Sequence, residues 1–247
     1  MKPSRKVFRP SRKVAKAWDE AGNWDECVDA VAFHEAGHAV AHAFLGVGFR
    51  GATIITHAED KMLGRVTGQP MDSPWIFKDM VGDPSAMAAL ARGHRSKMLF
   101  LHAGPAAESK YSYPGDAAWA PGLIMAREAI RRRASVAAIM EDVWMEPPEG
   151  TDAEKLLQFA WLIRQQEPQH SMEGILQETA RWTNEMLAIP EVWNAVEQVA
   201  RLLLKHGTLE GDDGCPVHDA VKPIRGLALR HPAWVDRIRV RVPKAQP

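Results

Sequence analysis

The chain has 247 residues, 46% of them apolar, and a formal charge of zero. That is enough for one sizeable core and excludes a disordered composition. No apolar run reaches the roughly 18 residues of a membrane span and no apolar leader opens the chain, so a soluble, cytoplasmic protein is expected. Cys27 and Cys215 are the only cysteines, which suits a reducing compartment.

Charge is unevenly spread. Residues 1–16 carry seven Lys/Arg and no acid, and residues 222–247 carry seven Lys/Arg and one acid, Asp236. Of the 31 residues of each sign, 17 basic and 30 acidic ones are left for residues 17–221. An acidic body between two basic ends argues against nucleic acid as the main partner, and charge runs of this kind usually form solvated tails. Residues 1–16 therefore read as a basic flexible tail, 17–213 as the folded domain and 214–247 as a basic C-terminal extension. The pentapeptide PSRKV occurs at 3–7 and again at 10–14, one duplication and no repeat architecture.

In chain order, a helix is expected to start near NWDE, with Asn23 as cap and Glu26 three residues on. Its apolar spacing runs from Val28 to Phe44, and Gly46 and Gly48 end it. ATIITHA (52–58) reads as a strand and LGRVTGQP (63–70) as its hairpin partner. Residues 84–104 read as a second helix, interrupted at Gly104-Pro105 and resumed by PAAESKY. YPGD is a loop, residues 117–145 read as helical, and EPPEG (146–150) is a break. Three further helices are expected at 152–166, 171–188 and 190–206, the last opened by Pro190 and closed by Gly207. RIRVRV (237–242) alternates as a half-exposed strand would. The expected fold is mainly α (α+β) with a small β-hairpin.

The segment VAFHEAGHAV (31–40) carries chemistry. Residues four apart lie one turn above each other on a helix, so His34 and His38 can direct imidazole nitrogens at one metal ion. Glu35, offset from that line, can work as a base on a metal-polarised water. The small residues Ala36 and Gly37 between the histidines let another element approach. By accident the H-E-x-x-H pattern would arise in roughly one or two chains in a hundred of this composition. His42 lies about 12 Å along the axis from His34 and suits a core or surface role better than a shared ion. His57, His94 and His102 are read as incidental. A hydrolytic zinc also needs a third protein ligand, and the acids after the second helix are the candidates.

VAFHEAGHAVAHAFLG, ATIIT, LGRVT and LHAGPAAES together resemble the peptidase family M41, the zinc protease domain of FtsH-type ATP-dependent proteases. VEQVARLLLKHGTLEGDD (196–213) is similar to that family's final helix and turn, so the resemblance covers roughly residues 28–213. It implies a zincin-like helical metallopeptidase domain with the hairpin beside the H-E-x-x-H helix. It implies Zn2+ held by His34, His38 and an aspartate matching Asp116, with Glu35 as catalytic acid/base. The surroundings of Asp116 depart from the pattern: Gly115 stands for the usual Asn, and WAPGL adds two residues. Glu108 is the rival ligand; in the family its position is supporting. The family's ATPase module and membrane anchor have no counterpart here, and no G-x-x-x-x-G-K-[ST] loop occurs. The expected function is thus a stand-alone zinc endopeptidase acting on unstructured polypeptides or peptides without ATP, with substrate added as a strand along 52–58 or 63–68. Folded substrates would require a separate unfoldase or adaptor. The alternative is a zinc-stabilised, non-catalytic binding or adaptor module that uses its basic ends. The oligomeric state does not transfer from the resemblance.

Overall fold

A computed structural model describes residues 8–20, 27–47, 49–55, 64–68, 84–113, 152–210 and 216–238. The chain is mainly helical with one small antiparallel sheet. It divides into two compact units. The first is built from residues 1–69, 103–119 and 183–227, and the second from 70–102, 120–182 and 228–247.

The first unit is organised around helix α2 (Val28–Leu45). Every residue from Glu35 to Leu45 is buried. The alanines at 32, 36, 39, 41 and 43 explain how: small side chains let neighbours close in on several faces at once. The helix begins at Val28 with Cys27 as its cap residue, later than the expected start near NWDE; Asn23 and Glu26, the expected cap pair, lie outside the described residues. Asp29 takes over a first-turn role, accepting from the Ala30 N–H at 3.0 Å. At the other end Gly46 adopts φ 77° and its N–H bonds back to the Ala43 carbonyl, the expected glycine stop. The Ala43 carbonyl also accepts from Gly226 N–H at 2.7 Å, so chain far downstream helps to close this helix.

Three strands follow the topology β2–β1–β3, with β1 Phe49–Thr53, β2 Arg65–Gly68 and β3 Thr208–Glu210. The expected hairpin is present, with Ala52 opposite Val66. Strand β1 is shorter and earlier than 52–58: residues 54 and 55 have left the ladder, and 56–58 lie outside the described residues. The third strand was not anticipated. Gly207 turns the chain with φ 81° after the last long helix, and Leu209 then pairs with Ala52. Both of those side chains are buried, and Thr53 and Thr208 join hydroxyls at 2.7 Å. Strand β1 is therefore central over Gly51–Thr53, so residues 52 and 53 of the expected substrate edge at 52–58 are already paired on both sides.

Helix α3 (Pro84–Ser112) is one continuous helix through Gly104-Pro105, where an interruption was expected. Proline removes one N–H from the ladder, but residues 101 to 107 are all buried, and packing on all sides overrides the local preference. Helices α4 (Asp152–Gln166), α5 (Met172–Ala188) and α6 (Pro190–His206) agree with expectation to within a residue. Ser171 begins α5 by accepting from Gly174 N–H at 3.0 Å. Helix α6 lays Val192, Val196, Val199 and Leu203 into the first unit's core.

The basic ends are folded where they are described. Arg12–Glu20 forms helix α1, with Val14 and Trp18 buried. Ser11 anchors it, donating from its N–H to Leu204 O and from its hydroxyl to Lys205 O, both at 2.9 Å. Residues 11–16 are thus a docked element rather than a flexible tail. After β3 come α7 (Pro216–Val221), which buries Val217 and Ala220, two short 3-10 turns, and α8 (Pro232–Ile238). Arg237 and Ile238 end α8, which corrects the start of the expected strand; residues 239–242 lie outside the described residues. Of the expected loop at 113–116 only Tyr113 is described, and the expected helix at 117–145 and break at 146–150 lie outside the described residues.

In the second unit Met98 and Leu101 of α3 pack with Leu156, Ala160 and Ile163 of α4 and Ile175 and Leu176 of α5. Arg95 is buried there. Its guanidinium makes two bonds to Glu167, at 3.1 and 2.7 Å, and one to Glu178 at 3.0 Å, which spreads the cost of burying one cation over two carboxylates. Arg237 lies over the rings of Trp182 and Trp234.

Candidate metal centre

His34 and His38 stand on successive turns of α2, and their Nε2 atoms are 3.1 Å apart. That separation is less than two zinc–nitrogen bonds of about 2.0–2.1 Å, so one ion could be held by both. His34 Nδ1 faces Glu108 Oε2 at 2.9 Å. A carboxylate accepts only, so this ring nitrogen donates, and Nε2 of His34 keeps its lone pair for a metal. Glu108 thereby occupies the orienting position and not that of a ligand.

Space for the pair comes from α3. A β-carbon added at Gly104 would stand 2.8 Å from His34 Nε2 and closer still to His38 Nε2. One turn further along α2, Gly37 is pressed against the Ala103 carbonyl, and a β-carbon there would lie 2.8 Å from Cβ of Ala107. The Gly104-Pro105 pair, which read as a break, is where the helix passes the two imidazoles. The need for glycine at 104 was not apparent from the sequence. Its only signal was a glycine within an otherwise apolar helical pattern.

Glu35 is 6% exposed. A β-carbon at Gly64 would meet its Cγ and Oε1 at 2.5 Å, so the residue just before β2 lies directly against the carboxylate. Strand β2, an edge of the sheet among the described residues, thus begins beside the candidate base. His42 is a core histidine. Burial, and then the charge of His38, lower its pKa to about 4, so it is neutral at pH 7. His94 and His102 are buried in the second unit, away from any expected role, and His57 lies outside the described residues. Asp116, expected as third ligand, also lies outside them. Among the described residues His34 and His38 could hold a metal ion, and no helix is long and apolar enough to cross a membrane.

No family model and no curated protein matches this sequence.

Proposed function

We propose that the chain is a zinc-dependent peptidase with an M41-like, zincin-type site. The observation that carries this reading is the pair of Nε2 atoms 3.1 Å apart with buried Glu35 between them on one helix. A purely structural zinc site has no use for a buried carboxylate beside the ligands. Zinc would supply two effects here, polarising the scissile carbonyl and acidifying the attacking water. The chain's own residues supply the rest. Glu35 takes the proton of that water and delivers it to the leaving amine. Glu108 holds His34 in the tautomer that offers Nε2. Asp116 completes the ligand set.

The substrate in this reading is an unstructured polypeptide or peptide that joins the sheet as an added strand. Because β1 is flanked on both sides, the strand adds to β2, whose start lies against Glu35. Hydrolysis of an already unstructured chain at this site would consume no ATP, because the metal-polarised water and Glu35 supply the nucleophile and the proton transfer.

The test is metal content and peptide cleavage of the purified chain and of Glu35→Gln. Wild type is expected to bind about one zinc per chain and to lose activity to a chelator. Glu35→Gln is expected to keep zinc and lose nearly all turnover, because the ligands stay and the base goes. Cleavage by Glu35→Gln at the wild-type rate would rule the mechanism out.

A further inference from the structure

Helices α2 and α3 meet along an antiparallel ladder of contacts within the first unit. Gly37 lies against Ala103, His34 bonds Glu108, and Phe33 stacks on Tyr111. The Phe33 and Tyr111 rings are 3.9 Å apart and 4° from parallel. The Tyr111 hydroxyl donates to Asp29 Oδ2 at 2.5 Å. Asp29 lies one turn before Phe33, and Tyr111 lies one turn after Glu108, so the aromatic fastening adjoins the His34–Glu108 bond on both helices. Phe8 closes one side of the stack, 5.4 Å from Phe33 and 6.0 Å from Tyr111, and Trp193 lies 6.0 Å from Phe33.

We infer that Tyr111 is a positioning residue for the metal pair: by stacking on Phe33 and bonding Asp29, it sets the register of α3 on α2 that keeps Glu108 on His34 Nδ1. The physical reason is a difference in stiffness. A Glu side chain has three rotatable bonds and that of Glu108 is 41% exposed, so water competes for the bond to His34. The Tyr111 ring is 5% exposed and fixed by two contacts of different kinds, a stack against translation off Phe33 and a hydrogen bond against rotation in the ring plane. A rigid contact one turn from a flexible one sets the backbone separation that the flexible one must span. Loss of that setting frees Glu108 to turn to solvent, and His34 then has no reason to keep its proton on Nδ1. The inference deepens the metal-site reading, and its effect on metal rests on that reading; the tautomer of His34 does not.

The experiment is nitrogen-15 NMR of the histidine rings in the metal-free chain, followed by zinc titration, for wild type, Tyr111→Phe, Tyr111→Ala and Glu108→Gln. In wild type, His34 is expected as the Nδ1–H tautomer. Tyr111→Ala is expected to give a tautomer mixture resembling that of Glu108→Gln, and to weaken zinc about 10–100-fold, the usual effect of losing a ligand's orienting partner. Tyr111→Phe keeps the stack, loses the Asp29 bond and should fall between. In the double variant Tyr111→Phe/Glu108→Gln, zinc affinity should equal that of Glu108→Gln alone, because both changes act through one bond. A merely structural role for Tyr111 would lower the melting temperature and leave the His34 tautomer unchanged, and that result would overturn the inference. Additive losses in the double variant would do the same. If Tyr111→Ala does not fold, Tyr111→Phe and Asp29→Ala carry the tautomer measurement. If wild type binds no zinc, the proposed function fails, while the tautomer comparison still decides the role of Tyr111.

Discussion

Gly104 and Gly37 are helical glycines hemmed in by different neighbours, and the difference separates function from stability. Next to Gly104 are the ends of two imidazoles, which can swing away. Gly104→Ala is expected to keep the fold, helped by up to about 1 kcal/mol of helix propensity, while zinc affinity falls at least about tenfold because the displaced nitrogens no longer converge. Isothermal titration with zinc, paired with a melting curve, checks it; unchanged affinity would show that the imidazoles do not hold the metal from this arrangement. Next to Gly37 is the Ala103 carbonyl, backbone that cannot swing. Gly37→Ala should therefore cost about 1–3 kcal/mol of stability by overpacking, read by urea denaturation. The carboxylates separate in the same way. Glu108 bonds a ring nitrogen of His34, so Glu108→Gln should retain zinc with about 10–100-fold weaker binding. Asp116→Ala should purify nearly free of zinc. Zinc held by Asp116→Ala as tightly as by wild type would remove Asp116 from the ligand set.

At the scale of elements, α1 shows how a charge run can mislead. The seven Lys/Arg of residues 1–16, three of which fall in α1, read as a solvated tail, yet the apolar spacing of Val14 and Trp18, four apart, marks a buried stripe. In so short a helix that stripe holds only two residues, too few to outweigh the charges in a composition-based reading. Trp18→Ala is expected to cost about 3 kcal/mol, whereas Arg12→Ala and Lys13→Ala, both exposed, should change stability by no more than about 0.5 kcal/mol. Chemical denaturation of the three variants checks the contrast. Equal, negligible effects would mean that α1 contributes nothing to the fold. Helices α4 to α6 were legible because their signals are local: proline at a start, glycine at a stop, apolar spacing between. Strand β3 was not, since three residues carry no periodicity and its pairing with β1 joins positions more than 150 residues apart.

For the molecule as a whole, buried histidines set the acid limit of stability. Burial lowers His94 to a pKa of about 4, reinforced by Lys97 and opposed by its bond to Gln166. Burial does the same to His102, against the opposing charge of Asp152. In the unfolded chain both return to an ordinary value near 6.5. Between those values the unfolded state binds protons that the folded state does not, so stability rises with pH there. It should be level above about pH 6.5 and fall as pH drops towards 4, by up to roughly 3 kcal/mol for each histidine. Urea denaturation of the metal-free chain at pH 7.5, 6 and 5 measures it. His102→Gln should flatten the lower part of the curve, and an unchanged slope in that variant would assign the acid sensitivity elsewhere.

Read alone, the sequence was sufficient for the mainly helical class, for four of the long helices and for the hairpin, because each rests on contacts within a few residues along the chain. It also determined that His34, Glu35 and His38 share one stretch of helix, since that follows from their spacing alone. Tertiary structure decided what surrounds them. Packing carries α3 straight through Gly104-Pro105, against local preference, and so brings a residue without a side chain to the imidazoles and Glu108 to His34 Nδ1. Pairing with β3 makes β1 a central strand and leaves β2, among the described residues, as the edge beside Glu35. Such outcomes depend on which distant segments meet, and the free energy of that meeting lies in contacts that no short window of sequence contains.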